Sequence, residues 1–313
     1  MRAAALALLA LTGAAHAEGV TVHEVALFVS GAAELPAPPP WAQRRATRVM
    51  RGAEVLSEGQ LPEAGPEVGA ARPDPDLRAR TPVQAFVFVS AADDSTLELT
   101  ARYPDGQPLA WAPAAQVVGE EAVLAWSGTV TAGRTRLPRV DRDHFWSTLR
   151  RHAPGAFAGG GRTSKPDGAE RFLYHQGLTL LDPPFTVERR PPSQTTLLVR
   201  AAGMERSLWV MLDGRARRVR LPGDTSELLI DLGATSGMEL PAFRRDLERA
   251  LGERGLSQAE ARAALDVWQG ILLSRGTRAI SLLPRALLDR TLPLTAAPAP
   301  AELVRVALLV QDL

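Results

Sequence analysis

From residue 82 onward, apolar residues recur at every second position in short runs separated by turn-forming residues, a spacing that restricts the chain to an antiparallel β-rich fold. In 96–103 (TLELTARY), Leu97, Leu99 and Ala101 alternate with Glu98, Thr100 and Arg102, so one face is apolar and the other wet. The run 83–90 (VQAFVFVS) precedes it, and Pro104-Asp105-Gly106-Gln107 follows. Asp-Gly supplies the positive φ of a tight hairpin, so 109–118 and 122–131 are expected to continue a meander. A second β block covers 170–231. Its clearest element is a hairpin of 207–212 and 215–221 around Asp213-Gly214, with 195–201 and 227–232 expected as strands beside it. Connections this short exclude crossover helices, so a sandwich-like or curved antiparallel body is expected rather than a parallel sheet.

The period lengthens after Gly237. Leu240, Phe243, Leu247, Ala250 and Leu251 share one helical stripe, with Arg244, Arg245, Asp246 and Arg249 outside it. Ser257-Gln258-Ala259-Glu260 has the spacing of a capping box, and Ala261, Ala264, Leu265, Trp268, Ile271 and Leu272 form the next stripe. Residues 278–283 read as a strand, 284–290 as a short helix opened by proline, and 303–310 as a closing strand, apolar apart from Arg305 and suited to burial on both faces. At the other end, 21–30 (TVHEVALFVS) reads as a first strand. The proline-, alanine- and glycine-rich stretch 31–80 has no sustained period and reads as a long irregular connection. The fold class is therefore α+β: a first strand and connection over 18–81, then a main domain over 82–313. That domain is β-rich in 82–231, helical in 238–291, and ends in the strand 303–310.

Residues 1–17 have the three parts of a secretory signal peptide: Arg2, the short apolar run 3–11, and the small residues Ala15 and Ala17 before a cleavage point after Ala17. The apolar run is too short to span a bilayer, for which about 20 residues are needed, and cleavage leaves no transmembrane segment. The mature chain is expected in the periplasm or outside the cell. It contains no cysteine, which excludes disulfides, thiolate metal sites, cysteine nucleophiles and lipoprotein attachment. Losing Arg2 with the signal brings 36 basic residues to 35, equal to the 35 acidic ones, so no net field steers the protein to nucleic acid.

Complete catalytic motifs are missing. His23-Glu24 opens like a zinc-protease H-E-x-x-H, but Leu27 stands where the second histidine belongs, and the ordinary meaning is a buried or edge-strand polar pair. No G-x-S-x-G elbow occurs. The loop 159–165 (GGGRTSK) departs from the phosphate-loop order, and a Schiff-base mechanism has only Lys165 to use. His144, His152 and His175 lie near Glu170 in sequence, and they form the weak catalytic candidates: a His/carboxylate acid-base site, if a helix carries the first two and one of the last two joins them. Their default meaning is hydrogen-bonded structural groups. Trp111 and Trp126 are candidates to stack on a glycan from one sheet face, whereas Trp209 and Trp268 fall on core positions. Arg218 and Arg220, with Arg215 and Arg217, make a face that either binds an anionic polymer or is simply solvated. Neither a cofactor nor a metal is expected.

Three segments resemble a family of exported bacterial proteins that share a Val-His-Glu-Trp-Gly start, a central Phe-Leu-Phe-Tyr-Arg-Gly-like strand and an ending close to Pro-Ala-Glu-Leu-Val-Arg-Val. They are Val22-His23-Glu24, Phe172-Leu173-Tyr174-His175-Gln176-Gly177, and the ending Leu292-Pro293-Leu294-Thr295 with Ala299-Pro300-Ala301-Glu302-Leu303-Val304-Arg305-Val306. Val25 and Ala26 stand where the family has Trp and Gly. No activity is assigned to that family, so the resemblance implies a single evolutionary unit over 18–313 and transfers no catalytic residue. The expectation is an exported, non-catalytic binding or structural protein of the bacterial envelope, its partner an envelope protein or a glycan. The competing class is a periplasmic hydrolase, metal-assisted or not, built on His144, His152 and either Glu170 or His175.

Overall fold

The computed structural model describes residues 16–30, 35–38, 50–51, 54–55, 80–118, 122–133, 135–159, 169–191, 195–201, 207–212, 214–222, 226–233, 237–274 and 276–313. Most of the expected connection 31–80, nearly all of the signal segment and Lys165 lie outside them. Strands β1 (His16–Ser30), β2 (Met50–Arg51), β3 (Glu54–Val55), β4 (Thr81–Ser90), β5 (Ser95–Arg102), β6 (Gln107–Ala112), β7 (Gln116–Val118) and β8 (Val123–Thr131) come first. Helix α1 (Phe145–His152) precedes β9 (Ala156–Gly159), β10 (Ala169–Glu170), β11 (Phe172–Thr179), β12 (Phe185–Arg189), β13 (Thr196–Ala201), β14 (Ser207–Leu212), β15 (Arg215–Arg220), β16 (Glu227–Asp231) and β17 (Met238–Glu239). The chain closes with α2 (Leu240–Gly252), α3 (Gln258–Val267), α4 (Gln269–Leu272), β18 (Arg278–Leu282), α5 (Arg285–Thr291), β19 (Leu294–Ala297) and β20 (Ala299–Asp312).

The expected α+β class with an antiparallel, sandwich-like body holds. A nine-stranded sheet in the order β17-β15-β14-β18-β20-β1-β4-β11-β6 divides the molecule. On β1 the side chains alternate: Val25, Leu27 and Val29 pack toward α1 to α4, while Val22, Ala26 and Phe28 pack toward a second sheet, β10-β9-β8-β5-β19 with β7 beside β8. A third sheet, β12-β13-β16, covers the same side over β14, β15 and β18.

The closing strand pairs within the main body, as its sequence predicts, and lies between β1 and β18. Val306, Leu308 and Val310 face the helices, and Ala307 and Leu309 face the second sheet. Each large apolar side chain buried this way is worth roughly 1.5–3 kcal/mol, so β20 is central to stability. Its pairing with β1 is parallel, the exception in an otherwise antiparallel sheet. The body of the chain serves as the crossover that a parallel pair requires.

Two further expectations are corrected. The turn at 104–107 closes no hairpin: β5 pairs with β8 and β19, whereas β6 pairs with β11 in the large sheet. Gly106 is needed there for space, since a Cβ on it would meet the Leu178 carbonyl oxygen at 1.8 Å. Strands β13 and β16 do not extend the β14-β15 hairpin sideways. Leu197, Val199 and Ile230 stack face to face on Leu208, Val210 and Val219, because both sheets have an apolar face to bury. The hairpin itself forms as read, with Gly214 at φ +82°.

Candidate functional site

Four clusters of charged and polar side chains among the described residues hold the candidate residues and their neighbours. The first lies between the two large sheets, where Glu24 of β1 meets Arg305, the one arginine of β20. Arg305 Nε donates to Glu24 Oε2 at 2.6 Å, its Nη1 donates to Asp289 Oδ1 at 2.6 Å, and its Nη2 reaches the Leu292 carbonyl. On the other side of Glu24, His175 Nε2 faces Oε1 at 3.5 Å, and His175 Nδ1 lies 2.7 Å from the Tyr103 hydroxyl. Gly177 makes room for that ring, because a Cβ there would lie 2.4 Å from Tyr103 Cε1. Burial and the negative charge of Glu24 push the Tyr103 phenol well above its ordinary range, so it keeps its proton and donates it to Nδ1. The Nε2 proton of His175 is thereby turned toward Glu24. Burial alone would raise the Glu24 carboxyl, but the Arg305 charge, helped by His175, overrides it and holds the group at about 2. This Tyr-His-Glu-Arg chain has the order of a proton relay. Yet Tyr103, His175 and Glu24 are 0% exposed and Arg305 6%, so no substrate reaches it, and its effect is to neutralise buried charge.

A second cluster sits on the helix side of β1. The α3 N-cap Ser257 accepts from the Glu260 backbone N–H at 3.2 Å, and the Glu260 carboxylate accepts from the Ser257 N–H at 2.9 Å, completing the expected capping box. The same carboxylate lies 3.0 Å from His23 Nδ1, and Glu302 lies 3.5 Å from Nε2. The hydrogen bond to Glu260 raises the His23 pKa against the opposing effect of burial. The His23-Glu24 pair is thus split across a central strand, one residue to each face.

Glu170 anchors the third. It accepts from Arg150 Nε at 2.8 Å, Arg150 Nη2 at 2.6 Å and Trp146 Nε1 at 2.8 Å, so its carboxylate is spent on fixing α1. His144 caps that helix by accepting from the Trp146 backbone N–H at 3.2 Å, and burial lowers its pKa. His152 ends the same helix, half-buried. The structure therefore does not bring the four catalytic candidates together. Glu170 and His144 meet only through Trp146, while His175 belongs to the opposite face of the sheet with Tyr103. The described residues contain no group of three or more His, Asp or Glu placed to share a metal ion.

The glycan-stacking expectation for Trp111 and Trp126 is likewise corrected. Their exposures are 3% and 1%, and both rings are enclosed in the core between the two large sheets, because each strand position they occupy faces inward. Trp126 Nε1 donates to the Pro113 carbonyl at 3.1 Å.

Arg218 and Arg220 fare differently. With Arg217 and Val219 they form one wall of an open groove of about 250 Å³, whose other wall is Leu228, Leu229, Ile230 and Asp231 of β16. Arg218 lies 5.1 Å over the Trp209 ring and 3.7 Å from Asp246, a cation-aromatic contact that fixes its direction. Arg217 Nη1 donates to the Asp231 carbonyl at 3.4 Å across the groove. The Asp231 Oδ1 atom is engaged by Thr195 Oγ1 and the Gly233 N–H, each at 2.9 Å. Arg220 is exposed and unpaired among the described residues, and Leu229, at 62%, is among the most exposed large apolar side chains.

Comparison of the sequence with models of known protein families gives no match, and no curated protein matches it. No helix among the described residues is long and apolar enough to cross a membrane.

Proposed function

We propose that the protein is an exported, non-catalytic binding protein of the bacterial envelope, and that the arginine groove between β15 and β16 is its ligand-contact surface. One observation carries the reading. Three arginines line an open groove, whereas His144, Glu170 and His175 are separately tied to structural partners and the Tyr103-His175-Glu24 chain is sealed. A groove that offers guanidinium groups and one tied-down carboxylate favours an anionic ligand. Export rests on the three-part segment 1–17. Cleavage after Ala17 spares the parallel pairing of β1 that runs unbroken from Thr21, beyond the irregularity between Ala17 and Thr21.

Fractionation with N-terminal sequencing tests export: a periplasmic or culture-medium protein beginning at Glu18 supports it, and an intact Met1 in the cytoplasm overturns it. Titration of the mature chain with inorganic polyphosphate at low and high salt tests the groove. Salt-sensitive binding that Arg220→Glu abolishes is expected. Equal binding by that variant, or none by the parent chain, overturns the assignment.

A further inference from the structure

Resting on that reading of the groove, we propose that its ligand is an extended acidic polypeptide segment that adds as a strand to the open edge of β16. Among the described residues, strand β16 pairs with β13 alone. The Ala201 N–H donates to the Ser226 carbonyl and the Leu232 N–H to the Thr195 carbonyl, so the even-numbered residues of this segment turn their peptide groups toward β13. In an antiparallel strand the intervening residues turn theirs the other way. Glu227 and Leu229 therefore present N–H and C=O groups along the groove, and the Asp231 carbonyl, turned the same way, receives Arg217. Facing this edge, β15 has no further strand partner beyond Ala216 among the described residues, since β17 pairs only with Arg215 and Ala216.

Two unpaired edges across a groove form a template for strand addition, in which main-chain hydrogen bonds supply affinity and alternate side chains supply selectivity. Arg217 shares the face of Val219 and meets the inward-pointing side chains of an added strand, whereas Arg218 and Arg220 lie on the other face of β15, Arg218 held on Trp209 and Asp246, and line the groove from there. The outward-pointing side chains of the added strand lie beside exposed Leu229. The matching segment alternates acidic with apolar residues. A protein edge is ordinarily protected by its own charges: here Glu227 and Asp231 of β16 are engaged by Arg200 and by Thr195 and the Gly233 N–H, so the exposed charge of Arg220 is what repels basic strands and admits acidic ones.

The test uses the mature chain and a capped peptide of alternating Glu and Val, about eight residues long, against the same peptide N-methylated at alternate positions and against inorganic polyphosphate. Leu229→Pro is the informative variant: it deletes an N–H on the outer edge and leaves the pairing to β13 intact, a position proline tolerates. The unmodified peptide is expected to bind, with about tenfold or greater loss on N-methylation, in Leu229→Pro and in Arg220→Glu. Equal binding of the N-methylated peptide overturns strand addition and leaves the anion groove standing. So does binding of polyphosphate without binding of either peptide. If none of the three probes binds, both readings fall. Circular dichroism of the Leu229→Pro protein, expected to match the parent, separates lost binding from lost fold; if it does not match, the N-methylated peptide decides alone.

Discussion

Glu24 and Arg305 are register partners on the parallel pair β1 and β20, and their 2.6 Å hydrogen bond joins residues 281 positions apart at the centre of the sheet. Two opposite charges buried inside a sheet are costly apart and tolerable together. Removing one strands the other. Glu24→Gln is expected to cost about 3–5 kcal/mol in urea unfolding, while Glu24→Leu with Arg305→Met costs much less than the sum of the single changes. Additive losses would show that the pair is not coupled.

The pH dependence follows from the same carboxyl. Its pKa is about 2 in the folded chain and near 4.5 unfolded, so its contribution is present above about pH 4.5 and is lost as pH falls toward 2. The melting temperature of the parent chain should fall across that acid window. Glu24→Gln should flatten the fall.

His23 acts in the opposite direction. Its pKa is raised by the hydrogen bond to Glu260, so the stabilisation is complete below its unfolded pKa of about 6.5 and is lost as pH rises through the higher folded value. Thermal unfolding between about pH 6 and 9 should show this loss, and His23→Gln should remove the dependence. A parent curve that rises with pH over that range would contradict the His23-Glu260 pairing.

Glycine positions separate close packing from open space. Gly106→Ala forces a Cβ to 1.8 Å from the Leu178 carbonyl and should destabilise by several kcal/mol, since backbone rather than a flexible side chain must move. Gly252→Ala, at the end of α2 with nothing within 4 Å, should be neutral or stabilising by up to about 1 kcal/mol. Chemical unfolding of both variants checks the contrast.

Local elements were legible because local physics fixes them. Alternation marked β5, Asp-Gly marked the β14-β15 hairpin, and the Ser257-Glu260 spacing marked the start of α3. The β1-β20 pairing leaves no local mark, since it joins distant segments; the only hint is that Glu24 and Arg305 each interrupt an apolar run, 25–29 and 306–310 following them. Periodicity places Asp246 outside the apolar stripe of α2. It is buried because Trp209 Nε1 needs an acceptor and donates to it at 2.8 Å. Glu170 shows the same limit, since only the fold places Arg150 and Trp146 beside it. Periodicity gave Trp111 and Trp126 a sheet face but not which sheet would cover it.

The central claim is that binding belongs to the arginine groove and that the sealed polar chain serves stability. Polyphosphate binding and melting temperature, measured side by side in Arg220→Glu and His175→Leu, test it most directly. Arg220→Glu should lose binding and keep its melting temperature. His175→Leu, which strands the Tyr103 hydroxyl, should lose about 1–3 kcal/mol of stability and bind as the parent does. The reverse pattern, with His175→Leu folded at full stability but unable to bind and Arg220→Glu unaffected, would contradict the account.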